Sequence, residues 1–148
     1  MEKTAREYFN EIRRVKSNII TLKAELSMLE DMKGSIKAID YSSVSVSGGK
    51  RSDIGDLIGK IDEIQSRLND EIGRFVFMYN EATRLIDERI EDDTLRRTLR
   101  QYYLVGYTAN AMRDKVVEGK RVSERTIRNY INDALKAFDK FIEFHGNM

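Results

Sequence analysis

Arg125, Arg128, Asn129 and Asn132 follow one another at helical spacing, with Glu124 at their edge. That spacing gathers them on one side of a helix, opposite Ile127, Tyr130 or Ile131, Ala134, Leu135, Phe138 and Phe141/Ile142. Arginine presents a rigid fork of donors, and asparagine pairs a donor with an acceptor. The chemistry of such a face is recognition by hydrogen bonds rather than bond making. Covalent chemistry has little material here. There is no cysteine, and the one histidine, His145, lies three residues from the C-terminus. Thiolate nucleophiles and thiolate metal sites are thereby excluded, and a histidine-based acid–base or metal cluster nearly so. Carboxylates are plentiful but spread along polar helix faces. The run Gly48-Gly49-Lys50-Arg51-Ser52 looks faintly like a phosphate-binding loop, but Val44 stands where the motif requires a glycine and no strand precedes it. Neither an enzyme nor a cofactor is expected.

The elements that must carry these residues are helical. The 148 residues contain no proline, where average usage of roughly 5% would supply about seven. Proline breaks helices, so its absence suits long uninterrupted ones. From Thr4 to Met32, Ala5, Tyr8, Ile12, Val15, Ile19, Leu22, Leu26 and Leu29 alternate spacings of three and four, the seam of a coiled coil. Thr4 and Glu7 form a capping box at its start. Residues 40–53 are rich in serine and glycine and read as a loop. Ser52 or Asp53 can then cap a second long helix to about Ile90. Its seam runs Ile54, Leu57, Ile61, Ile64, Leu68, Ile72, Phe75, Tyr79, Ala82 and Ile86, and the two consecutive fours at Ile64–Leu68–Ile72 make a stutter. Folded back antiparallel, the two helices bring Leu29 near Leu57, and Tyr8 and Phe9 near Phe75–Tyr79. The segment 75–79 is apolar on every side and reads as core.

Beyond Asp92 three shorter helices are expected. The first, capped by Asp92 or Asp93, ends at Gly106. The second, capped by Thr108, spans about 109–117 with Met112 and Val116 inward. The third, capped by Ser123, runs to about Phe144. Two short helices, a glycine-bearing turn and a capped helix presenting Arg and Asn describe a helix-turn-helix, whose second helix enters the major groove. Arginine matches guanine and asparagine matches adenine there. Arg125, Arg128, Asn129, Glu124 and Asn132 are the base-reading candidates. Lys120, Arg121, Ser123, Thr108, Arg97 and Arg100 are the phosphate candidates, and Arg96 extends the basic surface. Charge follows the same division. Residues 1–93 hold 15 Lys and Arg against 19 Asp and Glu, residues 94–136 hold 10 against 4, and residues 137–148 hold 1 against 2. The fold class expected is all-α: a long antiparallel coiled-coil hairpin over 1–91, then a three-helix helix-turn-helix domain over 92–148.

Tyr102-Tyr103-Leu104-Val105-Gly106-Tyr107-Thr108 and Val122-Ser123-Glu124-Arg125-Thr126-Ile127-Arg128 resemble region 4 of bacterial sigma factors. The chain as a whole resembles phage-encoded sigma-like regulators of the RinA/ArpU late-transcription-activator type. The resemblance implies promoter DNA as ligand, RNA polymerase as a protein partner and a bacterial host cytoplasm as location. Two features depart from that pattern. The spacing from Thr108 to Ser123 is 15, longer than usual, and Arg113 stands where the family carries a small alanine. The acidic hairpin would repel DNA, which suits a homodimerising or protein-binding role. No signal peptide and no membrane span are expected. Two other functions fit the same elements: a small-terminase-like DNA-packaging component, and a helical adaptor that binds no nucleic acid.

Overall fold

A computed structural model describes the backbone of residues 3–42 and 48–138, and side chains over 3–36 and 54–138. The fold is all-α. Its elements are α1 (Ala5–Ser42), α2 (Gly48–Arg89), α3 (Asp93–Leu99), a π-helical segment (Arg100–Val105), a 3-10 turn (Asn110–Met112) and α4 (Glu124–Lys136). Among the described residues there is no strand, only one isolated bridge between Val117 and Lys120. No helix among them is long and apolar enough to cross a membrane.

Both long helices exceed their expected limits. α1 continues to Ser42 and α2 begins at Gly48, so most of the expected 40–53 loop is helical and Ser52 and Asp53 lie inside α2 rather than capping it. Serine and aspartate cost only tenths of a kcal/mol in a helix, glycine about 1, and no proline intervenes. The expectation for residues 43–47 falls outside the described residues.

The chain divides by packing into two compact units, one formed by Met1–Ser17 with Arg74–Met148, the other by Asn18–Gly73. This line differs from the sequence-based boundary near residue 91, because the start of α1 and the end of α2 pack with the C-terminal elements. In the first unit Thr4 Oγ1 accepts the Glu7 amide at 3.1 Å and starts α1. Ala5, Tyr8, Phe9, Ile12 and Val15 are buried along it. Tyr8 donates its phenol to Glu81 at 2.6 Å, and Lys16 lies over the Phe75 ring, so α1 and α2 run antiparallel. Phe9 lies beside Tyr103 and Phe138, with ring centroids 5.3 and 5.4 Å away, which joins α1 to the C-terminal elements.

α2 corrects two expectations. From 61 to 85 its inward positions include 61, 64, 68, 71, 75, 78, 82 and 85, which alternate threes and fours with no stutter, while Ile86 is fully buried as its place in the expected seam implies. Glu71 and Met78 take the places assigned to Ile72 and Tyr79, both of which are exposed. A constant spacing keeps one face toward the partner helix, and that geometry outweighs the choice of the more apolar neighbour. The segment 75–79 is therefore not a core on every side. Met78 is 3% exposed, whereas Val76 is 50% and Phe77 53% exposed. In the second unit the seam is thinner. Ile19, Leu57, Ile61 and Leu68 are buried, but Leu22, Leu26 and Leu29 are only half-buried, since two helices alone cover each other on one side.

Candidate nucleic-acid interface

The polar face of α4 depends on three caps and one closed turn. Asp92 accepts the Leu95 amide at 3.0 Å and starts α3. After Leu99 the helix loosens into the π-helical segment, whose last turn closes with the Gly106 and Tyr107 amides both donating to the Gln101 carbonyl at 3.0 Å. Gly106 has φ +92°, the left-handed conformation that terminates helices and suits glycine, as expected for a C-cap. The carbonyls of Tyr102 and Tyr107 receive the Arg13 guanidinium from α1. Arg13 also lies 3.9 Å from the centre of the Tyr102 ring.

The second short helix is not formed. In place of a helix over 109–117, Thr108 Oγ1 accepts the Ala111 amide and a single 3-10 turn, Asn110–Met112, follows. Met112 and Val116 are nonetheless fully buried. The chain then doubles back on itself. The Val122 amide donates to the Arg113 carbonyl at 2.8 Å, and Arg113 Nε donates to the Val122 carbonyl at 3.0 Å. Gly119 at φ +69° makes the turn at the tip. The long spacing and the arginine in place of alanine are thus one feature, since Arg113 is the clasp that closes the extra residues into a loop. Arg97 fastens the same loop by donating to the Val116 carbonyl at 2.6 Å, and Gln101 by donating to that of Lys115 at 3.0 Å.

Ser123 then accepts the Thr126 amide at 3.1 Å and starts α4, which ends at Lys136 rather than near Phe144. The expectations for Phe141, Ile142 and His145 fall outside the described residues. Ile127, Ile131, Ala134, Leu135 and Phe138 are buried, while Tyr130 is half-buried. Arg125, Arg128, Asn129 and Asn132 are exposed and Glu124 half-buried.

The eleven candidate residues fall into different situations. The side chains of Arg125, Asn129, Lys120 and Arg121 make no hydrogen bond or ion pair among the described residues. Arg128 pairs with Glu124 at 3.5 Å across one helical turn, a solvated contact worth a few tenths of a kcal/mol. Asn132 accepts a hydrogen bond from Arg6 at 2.5 Å. Ser123 and Thr108 spend their hydroxyls on caps. Arg97 holds the loop, and Arg100 pairs with Asp87 at 2.9 Å, which offsets its charge.

No family model, curated protein or solved structure matches this chain. The site is defined by its residues alone.

Sequence reasoning missed the contribution of α1. Lys3, Arg6, Arg13, Arg14 and Lys16 make its first turns basic, but summing residues 1–93 as one acidic block hid them. Counted by packing unit, the first holds 19 Lys and Arg against 15 Asp and Glu, the second 7 against 10. The separation is therefore +4 against −3, and Arg6 and Arg13 belong with α4 and the π-helical segment. Among the described residues no cluster of His, Cys, Asp or Glu could hold a metal ion.

Proposed function

We propose that the chain is a sequence-specific double-stranded DNA-binding regulator of transcription, of the phage-encoded sigma-like kind, with residues 93–138 serving as a helix-turn-helix-like unit in which the 3-10 turn and the closed loop stand in place of the helix expected before α4. The observation that carries this reading is α4. It is capped by Ser123 and anchored by a fully buried apolar face, and it presents Arg125 and Asn129 with no partner among the described residues. An arginine and an asparagine held on a rigid helix and left unpaired have the donor geometry for guanine and adenine edges. Lys120 and Arg121, equally unpaired in the loop before the cap, have the chemistry of phosphate contacts. Arg128 and Glu124 join the base-reading set through their exchangeable pair. RNA polymerase is the proposed protein partner and the bacterial cytoplasm the proposed location.

Residues 18–73 serve in this reading as a coiled-coil dimerisation element. Ile20, Met28, Met32 and Ile58 are 40 to 57% exposed there, and the unit is net acidic. Like charge keeps it off the phosphate backbone and apolar surface favours a second copy. Light scattering on a sizing column should report a dimer. A ring of eight or more subunits would favour DNA packaging instead.

The reading is tested by duplex binding across a salt series. Binding should weaken steeply as salt rises. Arg125→Ala should cost roughly 1–3 kcal/mol on preferred sequences and less on others. Absence of duplex binding even in low salt would leave the adaptor function.

A further inference from the structure

A cleft of about 270 Å³ opens within the first unit between the first turns of α1 and the outer flank of α4. Arg6 and Asn10 line it from α1, Arg128 and Asn132 from α4, and the ring of Tyr102 from the π-helical segment. No aspartate or glutamate lines it. The Arg6–Asn132 hydrogen bond, 126 positions apart in sequence, fixes one wall. That bond occupies the Asn132 carbonyl oxygen and leaves its amide group to donate. Arginine has no acceptor, and one guanidinium carries five N–H donors, of which Arg6 commits one side here. The Tyr102 ring is braced from elsewhere, by the Arg13 guanidinium and by Tyr103 packed edge-on at 4.8 Å. The cleft is thus a preformed pocket with two cations, surplus donors converging from two helices, and few free acceptors.

We propose that this cleft binds a phosphate group, with Arg6, Arg128 and the Asn10 and Asn132 amides as its donors. Phosphate suits it because the donors approach from two helices, which a tetrahedral group of acceptor oxygens can meet together. Glu124, which pairs with Arg128 at 3.5 Å, is exchanged for the incoming anion. Where α4 reads duplex DNA, the phosphate is a backbone phosphodiester at the edge of the groove. The biological ligand in that form rests on the proposed function. α1 then takes part directly in DNA contact, and Arg128 and Asn132 serve the backbone phosphate instead of reading bases, with Asn132 also holding Arg6. The same donors would accept the phosphate of a free nucleotide.

Two arms separate these sources. In the first, fluorescence anisotropy follows duplex binding over a salt series. Arg6→Ala should weaken binding about tenfold on every sequence and lower the salt slope by about one. Asn10→Asp should weaken it further, because a carboxylate beside two guanidiniums competes for them while leaving the exposed surface folded. Arg67→Ala, the same charge change in the other unit, should leave binding unaltered. Wild-type binding with no response to either cleft variant would overturn the proposal and leave the proposed function standing. In the second arm, inorganic phosphate and then a nucleoside monophosphate are titrated into the full chain without DNA. The Asn10 and Asn132 side-chain amide resonances should shift, and Arg6→Ala should abolish the shift. If no duplex binds but these shifts occur, the proposed function fails and the cleft belongs to a free phosphate compound. If neither arm responds, the proposal is wrong.

Discussion

Arg113 is a departure when read as one letter, and its side chain adds a second hydrogen bond to a loop closure that its backbone already makes. Its backbone carbonyl and its Nε both meet Val122, so the chain from 113 to 122 closes on itself. Arg113→Met keeps the aliphatic stem and removes only the side-chain bond. It should cost about 1 kcal/mol in chemical denaturation, the usual net value of such a bond. Glu11 carries the clearest pH signature. The hydrogen bond from Lys3, aided by Arg74, holds its carboxyl below the ordinary value of 4.5. A depressed carboxylate stabilises the fold fully above its unfolded value, and the contribution disappears as pH falls through the folded one. Glu11→Gln should therefore lower stability at neutral pH, and its difference from wild type should shrink as pH falls below the ordinary value of 4.5. Thermal unfolding across pH reads both. Tyr8 works at the other end. Burial and its hydrogen bond to Glu81 raise its phenol above the usual range, so this contribution is complete below the ordinary value of 10.0 and declines only as pH rises from there through the raised folded value.

At the scale of elements, helical period and caps were legible in the sequence. Ala5, Tyr8, Ile12, Val15 and Ile19 are buried as their spacing implies, and Thr4, Asp92, Thr108 and Ser123 all accept an amide three residues on. The features that stayed hidden depend on packing between distant segments. Nothing local favours Glu71 over Ile72 as an inward position; only a constant face toward α1 does. Nothing local marks Thr108–Val117 as one 3-10 turn and a loop, because Met112 and Val116 are buried in either conformation. In the candidate site, the outer face of α4 could be read directly, whereas Arg6 and Arg13 could not be assigned to it from a charge tally along the chain. The π-helical turn is held by Gly106 in the left-handed conformation and by Arg13 on the Tyr102 carbonyl. Gly106→Ala should destabilise the protein by roughly 1–2 kcal/mol through that backbone conformation. Its Cβ would stand 3.7 Å from the Lys16 side chain, an ordinary contact, so strain and not collision is the cause. A melting temperature unchanged by this substitution would contradict it.

For the whole molecule, a net charge of +1 conceals two units of opposite sign, one basic around α4 and one acidic over 18–73. Such a division suits a protein that holds nucleic acid with one part and protein with the other. The central claim is that α4 reads duplex DNA. Selection of bound sequences from a random duplex library tests it most directly, using the full chain beside an Arg125→Ala, Asn129→Ala variant. An enriched motif with the wild type, lost or relaxed in the variant while stability is retained, is the expected result. The same motif recovered by both proteins, or no enrichment with either, would contradict the claim.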